Sequence, residues 1–394
     1  MSSLTNVNFD QMTKPDFLQY DPWPSAQSLL KALESSALIT RTVISNLSKG
    51  QETVSISSNL NPPHWEFGHL IWFQEFWVHR HGAPSNPSFL PHADALFNSS
   101  GIVHDDRWQV QLPSIDILLN YFSDVTERSY AILRSGSLTP EQAYFLQLAI
   151  FHQDMHNEAF AYTWQHLAYA WPVDREPEVA LLQTDSLEPT YIDMPASQLQ
   201  LGSAPHSGFI FDNEKWQHEV AVPHFSVSSD AVNNGQYLEF LEAHRDSGMG
   251  SLVSPPLHWK QEGSRWYERS FHQWLAMDLQ APVRHISAQD AERYCLWRGL
   301  RLPNEHELTA LMLSSPIYWR HSGLWEWTSS IFMPFAGFSP DPYQDYSSPW
   351  FDGSYRVLKG WSSYTPEYLR RPQFRNFYLP SRSDHFCGFR TCLA

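Results

Sequence analysis

Residues 139–169 read TPEQAYFLQLAIFHQDMHNEAFAYTWQHLAY. Thr139 followed by Pro140, Glu141 and Gln142 is a helix start: a capping side chain, a proline in the first turn and Gln three residues after the cap. The helix this predicts runs to about Tyr169. His152 and His156 stand at i and i+4, so both imidazoles leave one helix face. That is the spacing by which one helix offers a metal two ligands. Glu158 lies about 200° around from His156 by helical geometry and is expected outside the shell of ligands, where it could orient one of them.

Three further helices are expected upstream. Residues 25–48 place Leu29, Leu30, Leu33, Val43, Ile44 and Leu47 near the 3.6-residue period. Residues 61–82, NPPHWEFGHLIWFQEFWVHRHG, open on Asn61 and two prolines and close on Gly82. A third helix spans 114–134. Four helices suggest a bundle, whose metal sites take their other ligands from a facing helix. Of His64, His69, His79 and His81 on the 61–82 helix, His69 sits mid-helix among Trp65, Trp72 and Phe73 and points inward. Three histidines suit Zn or Fe(II) equally by ligand type.

Composition narrows the class. The chain has 394 residues, 42% hydrophobic and 15% aromatic, which excludes a disordered protein. Its net charge of −16 argues against non-specific nucleic-acid binding and against anionic membranes. Cys295, Cys387 and Cys392 form no CxxC pair, so neither a zinc ribbon nor a disulfide framework is expected. No apolar run approaches ~18 residues and the first residues lack a signal-peptide pattern. A cytoplasmic protein is the expectation.

The chain divides by texture into an N-terminal extension (1–24), the helical bundle (25–175), a proline-rich linker (176–205) and a second, loop-rich region of mixed type (206–394). Helical pieces are expected there at 233–244 and 287–299. The overall class is α+β.

WEFGHLIWFQEFW followed about 80 residues later by HQDMHNE resembles the DinB-type four-helix bundle of ergothioneine sulfoxide synthases. FIFDNEKWQHEVAVPHFSVS, NNGQYLEFLEA, RLPNEHEL, LWEWTSS and the stretch from YRVLKG to GFRTC resemble the sulfatase-modifying factor fold of formylglycine-generating enzymes, itself related to C-type lectin-like domains. The resemblance implies Fe(II) held by His69, His152 and His156. It also implies a reaction with dioxygen that joins a chalcogen donor to imidazole C2 of hercynine, the trimethylated betaine of histidine. Tyr343 and Tyr346, in SPDPYQDYSSPWFDG, lie where the family carries active-site tyrosines, and either could be the catalytic phenol. Asn376, in RPQFRNFYLP, matches a substrate-binding Asn. Phe377, Met155 and Trp361 are the other candidates for the substrate pocket, the aromatic ones through cation–π attraction to the trimethylammonium group.

Three departures from the family pattern bear on the donor. Met155 stands where hercynine enzymes carry Gln. Phe377 and Tyr378 replace a Trp-Asp pair that serves γ-glutamylcysteine. No cysteine lies between Gly360 and Arg375, which sets formylglycine formation aside. The HxDMHxE form with NPPxWExGH resembles selenoneine synthases, so a selenosugar is the favoured donor. The alternative is sulfoxide synthesis from γ-glutamylcysteine or cysteine. Rival classes are a zinc-dependent DinB thiol transferase and a non-catalytic binding module.

Overall fold

The computed structural model describes residues 24–173, 189–205, 207–245, 253–314 and 318–394. The expected N-terminal extension lies outside the described residues except for Pro24, as do residues 176–188 of the expected linker. Helix and sheet segregate along the chain, which makes the architecture α+β.

The first half holds α1 (Ala26–Ser45), α2 (Pro63–Gln74), a short α3 (Ala93–Phe97), α4 (Ile115–Arg134) and α5 (Pro140–Leu167). The starts are set by local chemistry. Ser25 and Ser114 accept from the backbone N–H groups of Ser28 and Ile117, and Thr139 and Gln142 form a reciprocal capping box. α1 packs on α4 and α5, and α2 packs on the same two helices. The α1–α5 seam is polar and specific: Thr40 Oγ1 donates to Asn157 Oδ1 at 2.7 Å and accepts from Gln153 Nε2 at 2.8 Å. α2 runs into a π-helical turn, Glu75–His79, the kind of widened turn that often borders a functional site. There the buried Glu75 carboxylate accepts from Tyr121, Ser88 and the Phe89 backbone.

The second half is built of short strands. Its first sheet contains β1 (Tyr191–Met194), β4 (Phe225–Ser228), β13 (Cys392–Leu393) and β8 (Leu300–Arg301), in that order. A second runs β11 (Asn376–Tyr378), β10 (Arg356–Gly360), β9 (Trp325–Ile331) and β12 (Cys387–Gly388). β2 (Ser197–Leu201) pairs with β3 (His218–Val222), and β5 (Trp259–Glu262), β6 (Arg265–Ser270) and β7 (Gln273–Ala276) form a meander. Helices α6 (Asn234–Arg245), α7 (Ala288–Arg298) and α8 (Glu305–Leu313) complete it. No described helix is long and apolar enough to cross a membrane.

Two sequence expectations need correction. Residues 191–201 of the expected linker are strands: Tyr191 pairs with Ser228 and Ser197 with Val222, both antiparallel. Pro189 and Pro195 stand just outside the two ends of β1, where a missing N–H costs no ladder bond. α8 was also missed, although Asn304 and Glu307 form a capping box that the sequence displays.

So much irregular chain leaves many carbonyls without a sheet partner, and buried cations take them up. Arg390 donates to the carbonyls of Ser228, Ser229 and Arg320 while its guanidinium pairs with Glu326. Arg375 serves Asn213 O and Met333 O and pairs with Glu305, and Lys359 Nζ donates to Pro372 O and Phe374 O. The three cysteines are buried free thiols. Breaking one such ion pair strands a buried charge, so Glu326→Ala should cost about 3–5 kcal/mol in urea unfolding. A loss below about 1 kcal/mol would show that the pair does not hold the loops.

Candidate metal centre

His69 lies in the second turn of α2 and faces α5, from which His152 and His156 project. One ring nitrogen from each can be chosen so that all three atoms lie within 4.8 Å of one another. The ring centroids are 4.5–5.1 Å apart: 5.1 Å for His69–His152, 5.0 Å for His69–His156 and 4.5 Å for His152–His156. Among the described residues this is the single such cluster of His, Cys, Asp and Glu.

The surroundings set the tautomers. His69 Nδ1 lies 2.8 Å from Phe97 O, and a carbonyl only accepts, so Nδ1 carries the proton and Nε2 keeps its lone pair. His156 Nδ1 lies 2.6 Å from Oε1 of the buried Glu66, one turn before His69 on α2. That carboxylate orients the ring in the same sense. His152 stacks on Phe73, centroids 3.5 Å apart, and its Nδ1 is buried without a hydrogen-bond partner. Burial holds His69 and His152 well below the usual imidazole range, so both are neutral. Two rings aimed by acceptors, His69 and His156, and a third, His152, with an orphaned buried nitrogen fit a divalent metal.

Gly68 makes this arrangement possible. A Cβ there would lie 2.1 Å from Cε1 of Phe97, the residue whose carbonyl aims His69. The Trp65 ring stacks on His69 from one side at 5.1 Å, and the Arg107 guanidinium covers Trp65 at 4.2 Å. Arg107 Nη1 donates to Asn61 Oδ1, and its Nε is buried without a partner.

The two candidate tyrosines are not equivalent. The Tyr343 ring stands 6.1 Å from His152 and 4.9 Å from Phe73, edge-on to both. Burial, the charges of Asp345 and Asp212, and the opposing pull of Arg107 leave its phenol above the ordinary range, hence protonated. Tyr346 lies behind it at 6.1 Å and stacks on Phe211 at 4.3 Å. Met155 and Asn376 meet in one small cavity of about 70 Å³, with Asp154, Glu158, Tyr162, Trp325 and Tyr378 also in its wall. Phe377 faces the other side of β11 and stacks on Phe332 at 4.0 Å. Trp361 is set apart, packed on Trp319 and His321. The alternation of a strand separates Phe377 from Asn376.

Glu158 does not orient a histidine. Its carboxylate accepts from Trp325 Nε1 at 2.7 Å and Thr365 Oγ1 at 2.8 Å, tying α5 to the second half. The orienting carboxylate is Glu66, which the sequence reading passed over. Its signal was available, since Glu66 precedes His69 by three residues on one helix. Arg107 carried no such signal, lying in a short 3₁₀ turn outside the expected helices.

Residues 178–310 match the family of sulfatase-modifying factor enzyme 1-like domains. The chain is 26% identical over 407 residues to the hercynine oxygenase of Mycolicibacterium smegmatis, covering 84% of this chain and 90% of that one. It is 27% identical over 401 residues to the hercynine oxygenase of Mycobacterium tuberculosis, with the same coverage. Ergothioneine biosynthesis protein 1 of Schizosaccharomyces pombe is 29% identical over 215 residues, 46% of this chain and 27% of that protein. Matched along nine-tenths of the length of two hercynine oxygenases, and to a sulfatase-modifying factor domain over residues 178–310, the chain is similar to enzymes of the ergothioneine sulfoxide synthase type.

Proposed function

We propose that the chain is a non-heme iron enzyme that uses dioxygen to form a C–S bond at imidazole C2 of hercynine. The convergence of His69, His152 and His156 supports this most directly. The relatives named for hercynine oxygenation and ergothioneine biosynthesis favour this reading over the selenosugar expected from Met155, Phe377 and Tyr378. Loss of a polar residue at those positions says what the pocket lacks, and a thiol donor remains compatible with it. We read residues 25–175 as a DinB-type bundle. The sulfatase-modifying factor domain then begins near β1 rather than at 206.

Fe(II) held by the three histidines would supply oxygen activation and gather donor, acceptor and oxygen at one ion. The chain's own residues do the rest. Phe97 O and Glu66 keep the imidazoles in the ligating tautomer. Tyr343, the nearer phenol and protonated, is positioned to deliver a proton or hydrogen atom from its Oη. Tyr346 is the second in line. The Arg107 guanidinium, with an unpartnered Nε, suits a substrate carboxylate. Asn376 has its Oδ1 committed to the Phe377 backbone N–H, which leaves its amide protons for the acceptor's carboxylate. Tyr162, Trp325 and Tyr378 beside Asp154 and Glu158 suit a quaternary ammonium.

His152→Ala should abolish iron binding and turnover together, measured by metal content after anaerobic reconstitution. Full iron occupancy in that variant would remove the assignment. Glu66→Ala should weaken iron binding by about 10–100-fold with helix content kept, and an unchanged affinity would show that Glu66 does not tune the site. With hercynine saturating, γ-glutamylcysteine or cysteine should give the highest kcat/KM. A selenosugar faster by about tenfold or more would restore the selenium reading.

A further inference from the structure

Phe209 to Trp216 reads FIFDNEKW, and its four central residues are almost sealed from water: Asp212 2%, Asn213 1%, Glu214 0% and Lys215 2% exposed. Buried polar groups need partners, and the side chains of Asp212, Glu214 and Lys215 with the backbone carbonyl of Asn213 find theirs in two segments of the candidate site. One is the tyrosine loop. Ser347 Oγ donates to Asp212 Oδ1 at 2.5 Å, and Lys215 Nζ donates to Asp341 Oδ1 at 2.5 Å. The other is the approach to Asn376. Glu214 takes the Arg371 guanidinium at 2.8 Å on both oxygens, and Asn213 O accepts from Arg375 Nη1 at 2.8 Å.

The backbone of the loop joins no sheet ladder and no α-helix. Between Asp341 and Trp350 it contains only two 3₁₀ turns, Gln344–Tyr346 and Ser348–Trp350. Asp345 is exposed, and its side chain is tied to Ser100 on the bundle side. Tyr343 and Tyr346 therefore hang between anchors at Asp341 and Ser347, and both anchors end on the 212–215 turn. Phe211, just ahead of that turn, also supplies the ring on which Tyr346 stacks.

We propose that Asp212 is a positioning residue for the candidate catalytic tyrosine, fixing the Tyr343 loop against the Asn376 segment through Ser347. It touches no substrate in this scheme. It sets the distance between the phenol and the histidine cluster, to which rate is sensitive at the scale of about 1 Å. The catalytic part of the proposal rests on the function proposed above, whereas the anchoring part does not.

Hydrogen exchange read by mass spectrometry on the full chain tests the anchoring without turnover. Asp212→Ala should speed exchange in residues 341–350 by about tenfold or more, with α2 and α5 unchanged. Ser347→Ala, a milder change, should do the same, and the double variant should add no further effect. Asp212→Asn, which keeps an oxygen to accept from Ser347, should restore protection. With hercynine and a thiol donor, kcat should fall by about tenfold or more in the two alanine variants, while KM for hercynine and iron content stay within about twofold. Unchanged exchange in 341–350 in both alanine variants would overturn the proposal. So would a fall in iron content matching the fall in kcat. If the parent protein does not turn over hercynine, the proposed function fails, and the exchange result still decides whether Asp212 anchors the loop.

Discussion

Three imidazoles packed ring against ring, two of them sealed from water and the third half-buried, impose the condition that the rest of this molecule meets. Each ring carries two polar nitrogens, and burial penalises every one that faces nothing. His69 settles one on a backbone carbonyl and His156 one on a carboxylate, so the remaining nitrogens turn inward together. Both acceptors come from α2 or the chain that crosses it. The carbonyl reaches His69 because Gly68 lets the Phe97 ring lie against the helix. The site is thus a property of two helices and one close approach, with the π-helical turn after Gln74 resuming the path of the chain beyond it.

The second half contributes by being irregular. Short strands leave long loops, and those loops and the strand starts bring Tyr343, Asn376, Trp325 and Thr365 against α5. A loop can be held in place only if its carbonyls and charges are answered, which Arg375, Arg390 and Lys359 do from inside. Glu158 closes the junction from the bundle side with two hydrogen bonds to the second half. α5 consequently has almost no free face. His152 and His156 look toward α2, Asn157 and Gln153 toward α1, and Glu158 and Phe151 toward the loops.

What the sequence disclosed follows the range of the interactions involved. Thr139, Pro140 and Gln142 mark a helix start through bonds three residues long, and the His152–His156 pair is a statement about one turn. Those were legible, as was the inward placement of His69 among aromatics. The choice between Tyr343 and Tyr346 was not, because it depends on which ring meets Phe73, more than 250 positions away in the chain. Nor was the assignment of the orienting carboxylate: Glu158 was nearer in sequence, and Glu66 is nearer in space. Phe377 and Trp361 were grouped with Asn376 by type and neighbourhood, yet strand alternation and packing on Phe332, Trp319 and His321 put them elsewhere. β1 and β2 lay hidden because prolines mark strand ends as readily as linkers.

The sheltered cysteines carry a consequence for durability. Cys295, Cys387 and Cys392 have almost no exposed surface, and burial raises all three thiols, Cys295 and Cys392 to about 12. The thiolate is the form that peroxide oxidises and that enters thiol–disulfide exchange. A protein that brings a reactive sulfur compound and dioxygen to one ion would generate both hazards at close quarters. Here the three thiols are kept protonated and out of reach of such an oxidant.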